Sequence, residues 1–108
     1  NECSDIHIHT KKYMAVIKEP LVLECPVSFC SNDPPNVSWC KLHKTLCEPL
    51  HGGSGLTMGW KVTEKDSAIY LLNFNSMTLD DVGYYRCSLD TNKFIVAPYI
   101  SVNISGKS

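Results

Sequence analysis

The stretch DDVGYYRCSLD, residues 80–90, crowds an aspartate, a glycine, two tyrosines and a cysteine into what otherwise reads as a half-buried strand. Alternation assigns Tyr85, Cys87 and Leu89 to one face and Tyr84 and Arg86 to the other. Asp81 can accept hydrogen bonds in the turn before the strand, and Gly83 lets the backbone enter it closely. Upstream, Cys25 in LVLECPV and Trp39 in NVSWCKL fall on segments with the same period of two, so the order along the chain is Cys, Trp, Cys.

The remaining strand signals are DIHIH near the start, AIYLLNF before residue 75 and YISVNI near residue 100. SNDPPN and HGGSG interrupt them with Pro and Gly, and only SMTLDD offers a single helical turn. The expectation is an all-β two-sheet sandwich forming one domain over residues 1–108. A chain of 108 residues, 44% hydrophobic and 19% charged, supports one modest core. Ten Lys and Arg against eleven Asp and Glu leave a net charge of -1 and no basic stripe, which argues against nucleic acid. No apolar run is long enough to cross a bilayer, and NECSDIHIHT lacks the pattern of a secretion signal. The chain therefore reads as a mature, soluble piece, compatible with excision from a longer membrane-anchored protein.

Six cysteines, at 3, 25, 30, 40, 47 and 87, are an even set in a small chain and favour three disulfides in an oxidising compartment. Neither CPVSFC nor CKLHKTLC has the tight C-x2-C form of a structural zinc site. Acceptor triplets for N-glycosylation at Asn36 (NVS) and Asn103 (NIS) agree with an extracellular location.

The motif D-x-G-x-Y-x-C formed by Asp81, Gly83, Tyr85 and Cys87, together with Cys25 and Trp39, resembles the immunoglobulin fold. The resemblance implies that Cys25 bonds Cys87 across two sheets, that Trp39 packs on that disulfide, and that the Tyr85 hydroxyl folds back onto the corner backbone. The immunoglobulin strand order also implies Cys3 with Cys30, and Cys40 with Cys47 across a short hairpin. With Cys25, Trp39 and Cys87 inside, parity adds Leu23, Val37, Leu72, Phe74, Met77, Tyr85, Leu89 and Val102 to the core, while Glu24, Ser38, Tyr84 and Arg86 face out.

ECPVSFC followed by NVSWCKL, Cys47, GWK at 59–61 and YLLNF before the D-x-G-x-Y-x-C motif resembles the ectodomains of inhibitory lymphocyte receptors of the immunoglobulin superfamily. This narrower resemblance covers the chain from Cys3 to about Ile104. It implies a single-pass plasma-membrane receptor whose partner is a tumour necrosis factor receptor superfamily member, the herpesvirus entry mediator. Carried onto this chain, its contact positions fall on His7, Lys12, Pro26, Asn36, Phe94 and Pro98.

Independently, KFIVAPY at 93–99 places apolar residues in succession from Phe94 to Pro98, the pattern of a strand needing cover on both faces or of an edge awaiting a partner strand. Pro98 suits an edge because it donates no ladder bond. Phe94 is the expected anchor. A glycan at Asn36 would conflict with contact there.

Other classes fit less well. His7 and His9 form an H-x-H pair, but no acidic or cysteine partner stands near to complete a metal site, so neither a metal nor a cofactor is expected. His43 and His51 fall in turns, and Ser54 and Ser105 lack a paired histidine and orienting acid, so no catalytic residues are assigned. The competing reading is another extracellular binding role, an immunoglobulin-like adhesion module or a soluble decoy receptor.

Overall fold

The computed structural model describes residues 4–30, 32–90 and 95–105. Its strands are β1 (Asp5–Ile6), β2 (Lys12–Ala15), β3 (Leu21–Ser28), β4 (Val37–His43), β5 (Leu46–Pro49), β6 (Leu56–Glu64), β7 (Ser67–Phe74), β8 (Gly83–Leu89), β9 (Ile95–Val96) and β10 (Ile100–Ile104). One sheet has the order β1-β3-β7-β6. The other is six-stranded, running β2-β10-β8-β4-β5 with β9 also paired to β8. Every pairing is antiparallel except that of β2 with β10, which is parallel.

Alternation is what holds the two layers together. In β3, Leu23, Cys25 and Val27 are buried while Val22 and Glu24 face solvent. Cys25 reaches across to Cys87 on β8 with Cα atoms 6.5 Å apart, so the disulfide ties one sheet to the other. Around it pack Trp39, Leu72, Phe74, Met77, Tyr85, Leu89 and Val102, all buried. Phe74 meets Tyr85 edge-on at 5.5 Å between ring centroids, a geometry that the ring quadrupoles favour.

Val37, expected inside, is only half-buried because it opens β4 at the rim of the core. Arg86 is likewise less open than parity suggested: its guanidinium lies 4.6 Å over the Tyr99 ring. A short 3-10 turn over Leu79–Asp81 matches the single turn expected at SMTLDD.

One strand is shorter than the sequence reading gives it, and another, β6, is not assigned by that reading. DIHIH does not continue as one strand, since β1 ends at Ile6 and the chain then changes sheets. His7 N–H still donates to Pro26 O at 2.8 Å. By Lys11 the partner is β10, where Ser101 N–H donates to Lys11 O at 2.8 Å. β6 shows no clean alternation because it is the outer edge of its sheet, and Lys61, Val62, Thr63 and Glu64 are all exposed. Edge strands tolerate such sequences.

Cys40 and Cys47 are bonded across the β4–β5 hairpin with Cα atoms 5.4 Å apart. The expected Cys3–Cys30 bond lies outside the described residues at its Cys3 end, and no described cysteine is free.

Candidate protein-binding surface

The change of sheet between β1 and β2 forms one flank of the sandwich, and of the positions marked by the sequence His7 and Lys12 lie on the segment that makes it, with Pro26 hydrogen-bonded to His7. β9 pairs with β8 through Ser88 with Val96 and Leu89 with Ile95, and among the described residues it has no second strand partner. Ala97 N–H donates to Cys87 O at 3.1 Å. In an antiparallel ladder the next residue back points its polar groups the other way, so the Val96 N–H and C=O face the open edge.

KFIVAPY therefore does alternate in burial where it is described: Ile95 is half-buried, Val96 exposed, Ala97 buried and Pro98 exposed. Its continuous apolar run reflects an outer row of Val96 and Pro98 left uncovered. Pro98 sits between β9 and β10 rather than inside a ladder. Phe94, the expected anchor, lies outside the described residues.

His7 and Pro26 are brought together beside β1. The His7 Nε2 atom shares a hydrogen bond with Ser28 Oγ at 2.9 Å, and His7, His9, Glu24 and Pro26 line a groove of about 360 Å³ over β3 and β7. His9 and Glu24 are members of this groove that the sequence reading did not assign to a site. Their signal was the shared parity of His7 and His9. Among the described residues no three His, Cys, Asp or Glu side chains gather as a metal site.

Lys12 is exposed at the start of β2, opposite Ser101. Behind it Tyr13 bridges the two sheets, its hydroxyl accepting the Glu24 N–H at 3.4 Å. Burial pushes the Tyr13 phenol up from its ordinary value. Asn36 is exposed immediately before β4, and its carbonyl accepts the Asp90 N–H at 2.8 Å at the end of β8. It belongs to the loop end of the sandwich, unlike Lys12. Asn103 is exposed on β10.

A disulfide-linked pair of sheets with a buried tryptophan, a tyrosine corner and an apolar edge defines an immunoglobulin-type receptor module, and the chain belongs to the immunoglobulin domain family, whose profile matches residues 15–97. Within that family its likeness is to B- and T-lymphocyte attenuator. The human protein is 36% identical over 90 residues, covering 81% of this chain and 29% of that protein. The Rattus norvegicus protein is 39% identical over 74 residues, covering 68% and 23%. The solved structure of the BTLA ectodomain superimposes with a TM-score of 0.85 at 30% identity, covering 94% of this chain and 98% of that one. The chain thus spans about a quarter of the length of the curated relatives it matches.

Proposed function

We propose that this domain is the extracellular ligand-binding module of a single-pass inhibitory lymphocyte receptor, and that its partner is a tumour necrosis factor receptor superfamily member, the herpesvirus entry mediator. The observation that carries this reading is the open β9 edge of a chain similar along almost its whole length to an attenuator ectodomain. An extended segment of the partner adds to that edge. Main-chain hydrogen bonds to Val96 supply affinity, and side chains around it select the partner. His7 and Pro26 line one side of the flank, Lys12 and Pro98 the other, with Phe94 as the anchor; Asn36 is the outlying member.

The test is a binding screen of the folded domain, expressed in mammalian cells, against purified ectodomains of the tumour necrosis factor receptor superfamily. Saturable binding to the herpesvirus entry mediator and to few others is the expected result. Binding to none of them, with self-association of the domain instead, would establish the adhesion reading. Intact-mass measurement of the same material reads whether Asn36 and Asn103 carry glycans.

A further inference from the structure

The outer face of the six-stranded sheet carries apolar side chains that the described residues leave largely exposed, although the Tyr84 ring meets that of Tyr99 edge-on at 6.5 Å between centroids. Met14 on β2 is 65% exposed and Tyr84 on β8 is 52% exposed. Both point away from the core, since their neighbours Ala15 and Tyr85 are buried. The strand between them is β10, and the residue of β10 opposite Met14 is Asn103. Ser101 stands opposite Tyr84, which makes Tyr84 the diagonal neighbour of Asn103 on the other side. Neighbouring strands lie about 4.8 Å apart and diagonal pairs about 7–8 Å. Asn103 is exposed, shares this outward face, and heads the acceptor triplet Asn103-Ile104-Ser105.

We propose that an N-linked glycan on Asn103 lies across Met14 and Tyr84 and closes this face to protein partners. The linkage forms between the Asn103 side-chain nitrogen, which gives up one proton, and C1 of the first N-acetylglucosamine of an oligosaccharide, as the bond from that C1 to a lipid pyrophosphate breaks and the lipid pyrophosphate leaves with the electron pair. A pyranose ring at that nitrogen has a thioether on one side and a phenol ring on the other. Its C–H face suits the electron-rich face of the tyrosine, and its hydroxyls stay in water. Coverage removes the apolar surface of Met14 and Tyr84 from solvent. The β9 edge, at the other end of β8, stays open, so this inference stands whether or not the proposed ligand is correct.

Methionine oxidation reads the covering directly, because its rate follows exposure of the thioether. Wild-type protein from mammalian cells, trimmed to a single N-acetylglucosamine, is compared with Asn103→Gln and Ser105→Ala, each checked for an unchanged melting temperature. All three are treated with dilute hydrogen peroxide and mapped by peptide mass spectrometry. Occupied Asn103, with Met14 oxidised roughly threefold or more slowly than in either variant, is the expected result. Buried Met77 serves as the reference, equally slow in all three. An unmodified Asn103, or Met14 oxidised at one rate in every form, overturns the proposal.

Discussion

Tyr85 donates its hydroxyl to the carbonyl oxygen of Asp81 at 2.6 Å, so the strand that carries the inter-sheet cysteine is hydrogen-bonded back to the turn that launches it. The Asp81 carboxylate fixes the same turn by accepting the Thr78 N–H at 2.9 Å and the Thr78 hydroxyl at 3.1 Å. Tyr85→Phe keeps the ring and leaves a half-buried carbonyl without this donor. The expected cost is about 1–2 kcal/mol, read as a lower midpoint with unchanged slope in urea unfolding.

Alkaline pH probes the same group. Burial, and then the nearby Asp81 charge, push the Tyr85 phenol well above its ordinary value near 10. The folded state thus favours the neutral phenol more than the unfolded state does. That preference costs nothing below pH 10, and above it the unfolded chain ionises first, so stability falls as pH rises. Melting temperatures measured from pH 8 to 11 should drop steeply past 10 for wild type and less for Tyr85→Phe. Tyr13, also raised by burial, remains in the variant and should keep a smaller decline.

Gly83 enters β8 with φ of +152°, and a Cβ there would sit 3.1 Å from Lys41 Cε. The Lys41 side chain is not free to swing away, since its ammonium donates to Asp80 O and lies over the Tyr85 ring. Gly83→Ala should therefore cost about 1–3 kcal/mol. Gly59 is the contrast, because nothing lies within 4 Å of a Cβ built there. Gly59→Ala should be neutral or stabilise by up to about 1 kcal/mol. Equal effects of the two substitutions in urea unfolding would contradict the asymmetry.

The core was legible because two inward cysteines and one tryptophan fix the parity of three strands, and a period of two then sorts their neighbours. The same rule extended from Val102 reaches Ile100, which is fully buried and was not in the expected core. What periodicity does not encode is the partner of a strand. Ile6 and Lys12 belong to different sheets, and that exchange depends on β3 and β10, remote in sequence. At the candidate surface, KFIVAPY stands out by composition, whereas the groove beside His7 needs side chains from β3 and β7 that no local pattern joins.

The Cys40–Cys47 bond closes a loop with a sequence separation of 7 at the end of the six-stranded sheet, away from the core. Chain entropy for so short a loop gives roughly 2.5 kcal/mol. Replacing both cysteines by serine should leave a folded domain, with native-like near-ultraviolet circular dichroism, whose stability is lower by about that amount. Loss of folding altogether would mean that the hairpin depends on the bond for its register.

The proposed edge makes a demand on one backbone nitrogen. The Val96 N–H faces away from β8, whereas the Ala97 N–H donates to Cys87 O and holds β9 in place. Val96→Pro removes the outward donor and leaves the inward ladder bond intact, and Val96→Ala trims the side chain but keeps the donor. If a partner strand pairs with β9, Val96→Pro should weaken binding by roughly tenfold or more, with Val96→Ala far closer to wild type. Tyr84→Ala, on the outer sheet face, should bind as wild type does. Affinities for the herpesvirus entry mediator ectodomain, taken after equal melting temperatures are established, decide the matter. Loss of binding in Tyr84→Ala with full binding in Val96→Pro would move the contact from the edge to the sheet face.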